Sequence, residues 1–195
     1  MGNTHDYLPA AGHDVLLPGY DLFTRIIGAR AVYRALVDQA ELIPGARILE
    51  IGCGTGNLTR ELARTGVAVN VLATDPDPRA LRRARDKTAG LAGVRFQRCY
   101  AQHLPHRDAS FDLVVSSLML HHLGPDAREA ALAESFRVLK PGGRLHIADV
   151  QAQRLADMAR NRGFEVAETG SRRLRVFGSV HFLRCVRKRV HRPED

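Results

Sequence analysis

The chain has 195 residues, of which 45% are hydrophobic and 26% charged, and its formal net charge is +8. That length suits one domain able to bury most of the surface its unfolded form exposes, and those fractions exclude a disordered chain. Glycine, proline or charge interrupts every long apolar stretch short of the roughly 20 residues a membrane span requires, so no span is expected.

Residues 1 to 19 are irregular, broken by Pro9, Gly12, Pro18 and Gly19. From Tyr20 to about Leu42, apolar residues recur every three to four positions, which predicts a helix ended by Pro44-Gly45. Arg47 to Ile51 reads as a strand, Thr55 to Arg64 as a helix and Val67 to Ala73 as a second strand. Asp75-Pro76-Asp77-Pro78 is a turn that starts a helix running to Thr88, since Asp can cap and Pro suits the first turn. Val94 to Arg98 and Phe111 to Ser116 are further strands. Asp126 to Leu139 is a helix stopped by Lys140-Pro141-Gly142-Gly143, and Arg144 to Ala148 is the fifth strand. A helix over Ala152 to Arg162 precedes strands at Phe164 to Thr169 and Val180 to Val186. That makes seven strands, with helices between the first six. The alternation predicts βαβ units and a mostly parallel sheet. The short loop between the last two strands predicts an antiparallel pair.

The strongest local signal is Ile48 to Asn57, a buried strand that runs into Gly52-Cys53-Gly54-Thr55-Gly56 and then a helix. Such a turn brings backbone close to a ligand, and the helix start offers unpaired N–H groups. A dinucleotide site has G-x-G-x-x-G. Here the spacing is G-x-G-x-G with Asn57 next, which disfavours a nicotinamide dehydrogenase. Asp75 follows about twenty residues later, placed to accept hydrogen bonds from a ribose diol or to cap the next helix.

Glu50-Ile51-Gly52-Cys53-Gly54-Thr55-Gly56 resembles the first motif of the class I S-adenosylmethionine-dependent methyltransferases. Ala101 to Pro105, Ser110 to Ser116 with Leu120-His121-His122-Leu123, and Arg137 to Gly143 follow in order. Together they resemble the ubiquinone/menaquinone-biosynthesis type over about residues 20 to 187. The resemblance implies a Rossmann-like α/β fold, with a seven-stranded, mostly parallel sheet, helices on both faces and a reversed last strand. It also implies S-adenosylmethionine as cofactor. Gly52, Cys53 and Gly54 would lie under its methionine and ribose, with Glu50 orienting the ammonium and Asp75 holding the ribose diol. Pro76 would pack near the adenine, Ala101 and Gln102 would reach its edge, and the Ser116 backbone would meet the ammonium. The family's usual Asp before the Ala that matches Ala101 is Tyr100 here, so Tyr100 or Gln102 is expected to replace that acceptor, with modest affinity. The implied layout is a lid segment and helix over residues 1–44, a core over 45–190 and a tail over 191–195.

Methyl transfer is an in-line displacement accelerated largely by positioning, so no universal base is required. His121 could take a proton where the acceptor approaches, or the His121-His122 pair could anchor a loop. Tyr20 could roof the methyl group or staple its helix to the core. Asp149 could contact an acceptor or cap the next helix. Because Asp149 is followed almost at once by a helix, the acceptor side should be open, roofed mainly by residues 1 to 30. A small-molecule acceptor is expected. The alternatives are an enzyme acting on RNA or protein, suggested by the charge and the open face, and a cofactor-binding module without turnover.

The basic runs Arg172 to Arg175 and Arg184 to Arg192 could meet a polyanion. Without interleaved aromatics they read instead as a solvated surface. Cys53, Cys99 and Cys185 are odd in number and far apart, and His121-His122 lacks a ligand cluster, so neither disulfides nor a metal site is expected. No signal peptide is evident from Met1 to Tyr20, so a cytoplasmic location is expected. A homodimer is compatible with these features.

Overall fold

A computed structural model describes residues 28–174 and 178–189. Seven strands form one sheet: β1 (Arg47–Ile51), β2 (Asn70–Asp75), β3 (Val94–Arg98), β4 (Phe111–Ser117), β5 (Leu139–Asp149), β6 (Phe164–Leu174) and β7 (Gly178–Arg187). Their order is β3-β2-β1-β4-β5-β7-β6. The first five run parallel, whereas β7 is antiparallel to both β5 and β6. Five helices join them: α1 (Ala29–Gln39), α2 (Asn57–Ala63), α3 (Pro78–Lys87), α4 (Pro125–Val138) and α5 (Ala152–Asn161).

Alternation along each strand divides the core in two. Ile48, Val71, Val115 and Phe182 face Val32 and Leu36 of α1 and Leu58 and Leu62 of α2. Leu49, Val114, Leu145 and Leu183 face Leu132 of α4 and Leu155 and Ala159 of α5. The expected sheet with a reversed last strand and helices on both faces is thus the observed fold. The part of the expected first helix from Tyr20 to Ile27 lies outside the described residues.

Three expectations need correction. No helix joins β3 to β4. Instead, Arg137 donates to the carbonyls of Leu104 (2.9 Å) and His106 (2.7 Å), and Glu134 accepts the Leu104 N–H (2.8 Å). Those two side chains of α4 satisfy a connector that has no helical bonds of its own. Secondly, Lys140-Pro141-Gly142-Gly143 does not lie outside regular structure. Helix α4 ends at Val138 and β5 begins at Leu139, opposite Phe111, with a register shift before Leu113. Arg187 of β7 makes this abrupt switch feasible by donating to the carbonyls of Phe136, Arg137 and Leu139 at the helix end. Thirdly, Asp75 is not the cap of α3. Asp77 is, accepting the Arg79 N–H at 2.7 Å.

Candidate functional site

The parallel strands end at one edge of the sheet, where a ligand is expected to bind in such folds. At the end of β1 the chain enters Gly52, with φ +67. A Cβ there would sit 2.2 Å from Cγ of Met119, whose side chain lies over the turn. Met119 reaches that position because Leu118, just past β4, takes the left-handed conformation (φ 53) while its N–H still donates to Ala148 O at 2.8 Å. A non-glycine residue in that region is strained, and such strain gathers at functional edges.

Below the turn lies a pair of buried acids. Asp75, at the end of β2, accepts the Gly54 N–H at 2.8 Å with one carboxylate oxygen and the Asp77 N–H at 2.9 Å with the other. It therefore fixes the glycine turn to the second strand and retains lone pairs for a further donor. Glu50 is 2% exposed, and its carboxylate accepts from the Thr59 hydroxyl of α2 at 2.5 Å. No cation lies within ion-pairing distance of either acid among the described residues. Burial, reinforced by Asp75 and opposed by the Thr59 bond, raises the Glu50 pKa to about 8. Burial also lifts Asp75 to about 6, against its two backbone hydrogen bonds. Cys53 sits in the same apolar corner with Ala73 and Leu81, its thiol pushed up by burial and by both acids.

The other residues expected at the site share this edge. Arg98, the last residue of β3, is the backbone register partner of Asp75, and its side chain donates to Pro76 O at 3.0 Å. The following turn carries buried Ala101 and half-buried Gln102, closed by His103 N–H to Tyr100 O at 3.1 Å. Ser116 near the end of β4 is fully buried, and its hydroxyl has no partner. Glu50, Gly52, Cys53, Gly54, Asp75, Pro76, Ala101, Gln102 and Ser116 therefore converge on one edge.

His121 stands on a short 3-10 turn, Leu120–His122, after β4. Its Nδ1 lies 3.0 Å from Oδ1 of Asp149, which is fully buried at the end of β5. The same Asp149 oxygen accepts the Val150 N–H at 2.7 Å, so this residue both turns the chain toward α5 and holds the imidazole. The His122 ring lies 3.9 Å from that of His121, and burial and its neighbour lower its pKa. Helix α5 begins at Ala152, three residues after Asp149, so no long insertion crosses this edge from β5. Tyr20 lies outside the described residues.

Four contributors escaped the sequence reading. Thr59 holds Glu50, and Met119 covers Gly52. Lys87 of α3 donates to Thr55 Oγ1 (2.9 Å) and Asn57 Oδ1 (2.8 Å), bracing the start of α2. Arg128 of α4 is buried and donates to the carbonyls of Leu120 (3.0 Å) and Leu123 (2.8 Å), fixing the His121 turn. Only Arg128 left a signal, because it occupies the apolar stripe of Ala131, Leu132 and Ser135 at helical spacing. Among the described residues no cluster of potential metal ligands is present and no helix is long and apolar enough to cross a membrane.

Residues 48–143 match the family model described as a methyltransferase domain. The ubiquinone/menaquinone biosynthesis C-methyltransferase UbiE of Vibrio vulnificus is 34% identical over 137 residues, covering 67% of this chain and 52% of that protein. The demethylmenaquinone methyltransferase of Deinococcus radiodurans is 34% identical over 134 residues, covering 67% of this chain and 55% of its own length. The chain thus spans about half the length of the curated relatives it matches. Among solved structures, the [4+2]-cyclase SpnF superposes with a TM-score of 0.76 at 18% identity, covering 91% of this chain and 95% of that one. That likeness is one of fold alone.

Proposed function

The chain belongs to the class I S-adenosylmethionine-dependent methyltransferases, and on that premise we propose that it transfers a methyl group from S-adenosylmethionine to a small-molecule acceptor. The observation that carries the reading is the bond from Gly54 N–H to Asp75, beside buried Glu50, with no cation paired to either acid among the described residues. Two acids without a cation favour a ligand that brings positive charge, and the cofactor carries an ammonium and a sulfonium. The bare glycine turn supplies the close approach. S-adenosylmethionine supplies a methyl group made electrophilic by its positively charged sulfur.

The residues then divide by task. Asp75 holds the ribose diol with the lone pairs left over from the turn. Glu50 holds the methionine ammonium, aided by the Ser116 backbone. Pro76, Ala101 and Gln102 flank the adenine, with Tyr100 or Gln102 in place of the family's acidic acceptor. His121 is the base for an acceptor that must lose a proton. Asp149 accepts its Nδ1–H and leaves Nε2 to receive that proton. In a layout of a lid segment and helix over residues 1–44, a core over 45–190 and a tail over 191–195, Tyr20 would roof the methyl group. The activities for which the UbiE and demethylmenaquinone methyltransferases are named favour a small acceptor over RNA or protein, and the location we propose is cytoplasmic.

Titration calorimetry of the whole chain with S-adenosylmethionine, wild type beside Asp75→Ala, tests the reading. Saturable binding that the variant loses is the expected result. A wild type that binds nothing, or a variant that binds equally well, would refute it. With binding in hand, an acceptor screen should find turnover that His121→Gln reduces at unchanged cofactor affinity.

A further inference from the structure

A second concave site lies at the opposite edge of the sheet, where β1, β4 and β5 begin and β7 ends. Its cavity is about 360 Å³, in the range of small-ligand sites. Lys140, Arg144, Arg184 and Arg189 line it, with only Glu41 and Asp112 to oppose them. Those acids are already engaged: Lys140 pairs with Asp112 at 2.6 Å and Arg144 with Glu41 at 2.7 Å. Arg184 and Arg189 have no carboxylate or hydrogen-bond partner among the described residues. Arg189 folds over Gly142, where a Cβ would lie 2.9 Å from its Nε. The only exposed large hydrophobic side chain among the described residues, Ile43 at 59%, belongs to the same rim.

Nothing beneath the arginines offsets their charge among the described residues. His146 is fully buried on β5, directly opposite Arg184 on β7, with both ring nitrogens unpartnered. Burial first, then Arg144 and Arg184, pull its pKa down to about 4, against Glu41. A neutral imidazole does not compensate Arg184 and Arg189, and among the described residues both acids of the lining are already paired, so the rim offers an anion two unmatched guanidiniums.

We propose that this cavity binds a phosphate-bearing small molecule of about nucleotide size, with Arg184 and Arg189 as the fork and Ile43 against its apolar part. Guanidinium pairs suit phosphate because their planar donors meet its oxygens two at a time. A concavity of this size with an apolar side formed by Leu42, Ile43 and Pro141 fits one compact ligand better than a long strand, which would need an extended track with stacking aromatics. The site is remote from the glycine turn and does not depend on the methyltransferase reading.

The test is calorimetry of the full chain at low salt with pyrophosphate and with ADP, on wild type, Arg184→Ala, Arg189→Ala, the double alanine variant and the double lysine variant. Both arginines are exposed and have no partner among the described residues, so unchanged melting curves are expected for every variant. Expected are saturable binding, tighter for ADP, a loss of at least about tenfold per single alanine, no binding by the double alanine variant and partial retention by the lysines. Affinity for S-adenosylmethionine should stay unchanged throughout. Absence of binding by the wild type at millimolar anion, or wild-type affinity in the double alanine variant, would overturn the proposal. So would a 12-nucleotide RNA that binds more tightly than ADP and is lost in the same variants, since the occupant would then be a polynucleotide.

Discussion

The Arg137 cluster and the Glu50–Asp75 pair use the same chemistry to opposite ends. Around Arg137 each acid has a cation: its guanidinium meets Glu134 and Asp108, each at 2.7 Å, and two carbonyls. Hydrogen bonding to Arg137 holds Glu134 below its ordinary pKa, and its partners push Arg137 above its own. At the glycine turn, two acids are buried with no cation among the described residues, and both pKa values rise. Paired acids stabilise the chain by themselves, whereas buried acids without a cation cost stability until something positive arrives. The first ties down a connector, and the second is prepared for a ligand.

The contrast can be broken most directly at Asp75. Asp75→Ala should weaken S-adenosylmethionine by about 100-fold in calorimetry, the weight of one or two hydrogen bonds to a charged group. Arg137→Ala should do the reverse. It should cost about 2 kcal/mol in denaturant unfolding, because the Leu104 and His106 carbonyls lose their donor, and leave cofactor affinity within about twofold. A large affinity loss from Arg137→Ala would mean the two regions are not separate.

Glu50 sharpens the comparison through pH. Its folded pKa, about 8, stands above its ordinary value of 4.5, so the native state keeps a proton that the unfolded chain releases. The stability it contributes is therefore full below pH 4.5 and lost as pH rises through 8. Melting temperature should fall over that window, and Glu50→Gln should flatten the fall. Cofactor binding near pH 7 should also expel this proton, seen as a dependence of calorimetric heat on buffer ionisation enthalpy that Glu50→Gln removes.

The smallest effect at neutral pH belongs to His146. Its folded pKa, about 4, lies below its ordinary value of 6.5, so its contribution is intact above pH 6.5 and lost as pH falls through 4. His146→Leu should change stability little at pH 7 and should make acid unfolding less steep between pH 6.5 and 4.

The chemistry-bearing strand ends were legible because each is written locally. Glu50 to Gly56 contains its own strand, turn and helix start, and Asp75 follows at a fixed distance. The β3–β4 connector was not legible, because its structure depends on Arg137 and Glu134, some thirty residues later. Residues 140–143 misled for a similar reason: Pro and Gly read locally as a break, but Arg187 caps the helix end and lets the sheet begin at once. His121 and Asp149 could each be nominated alone. Nothing in their separation of 28 residues said that they meet.

The sequence by itself determined the alternation of strand and helix, the glycine turn and the family resemblance, because periodicity and turn chemistry act over a few residues. Tertiary structure alone decided that two acids would share a buried corner, that Met119 would lie over Gly52, and that Asp149 would hold His121. Burial and partner choice are properties of the assembled sheet, in which strands distant in sequence lie side by side and the loss of water sets the energy of each charge.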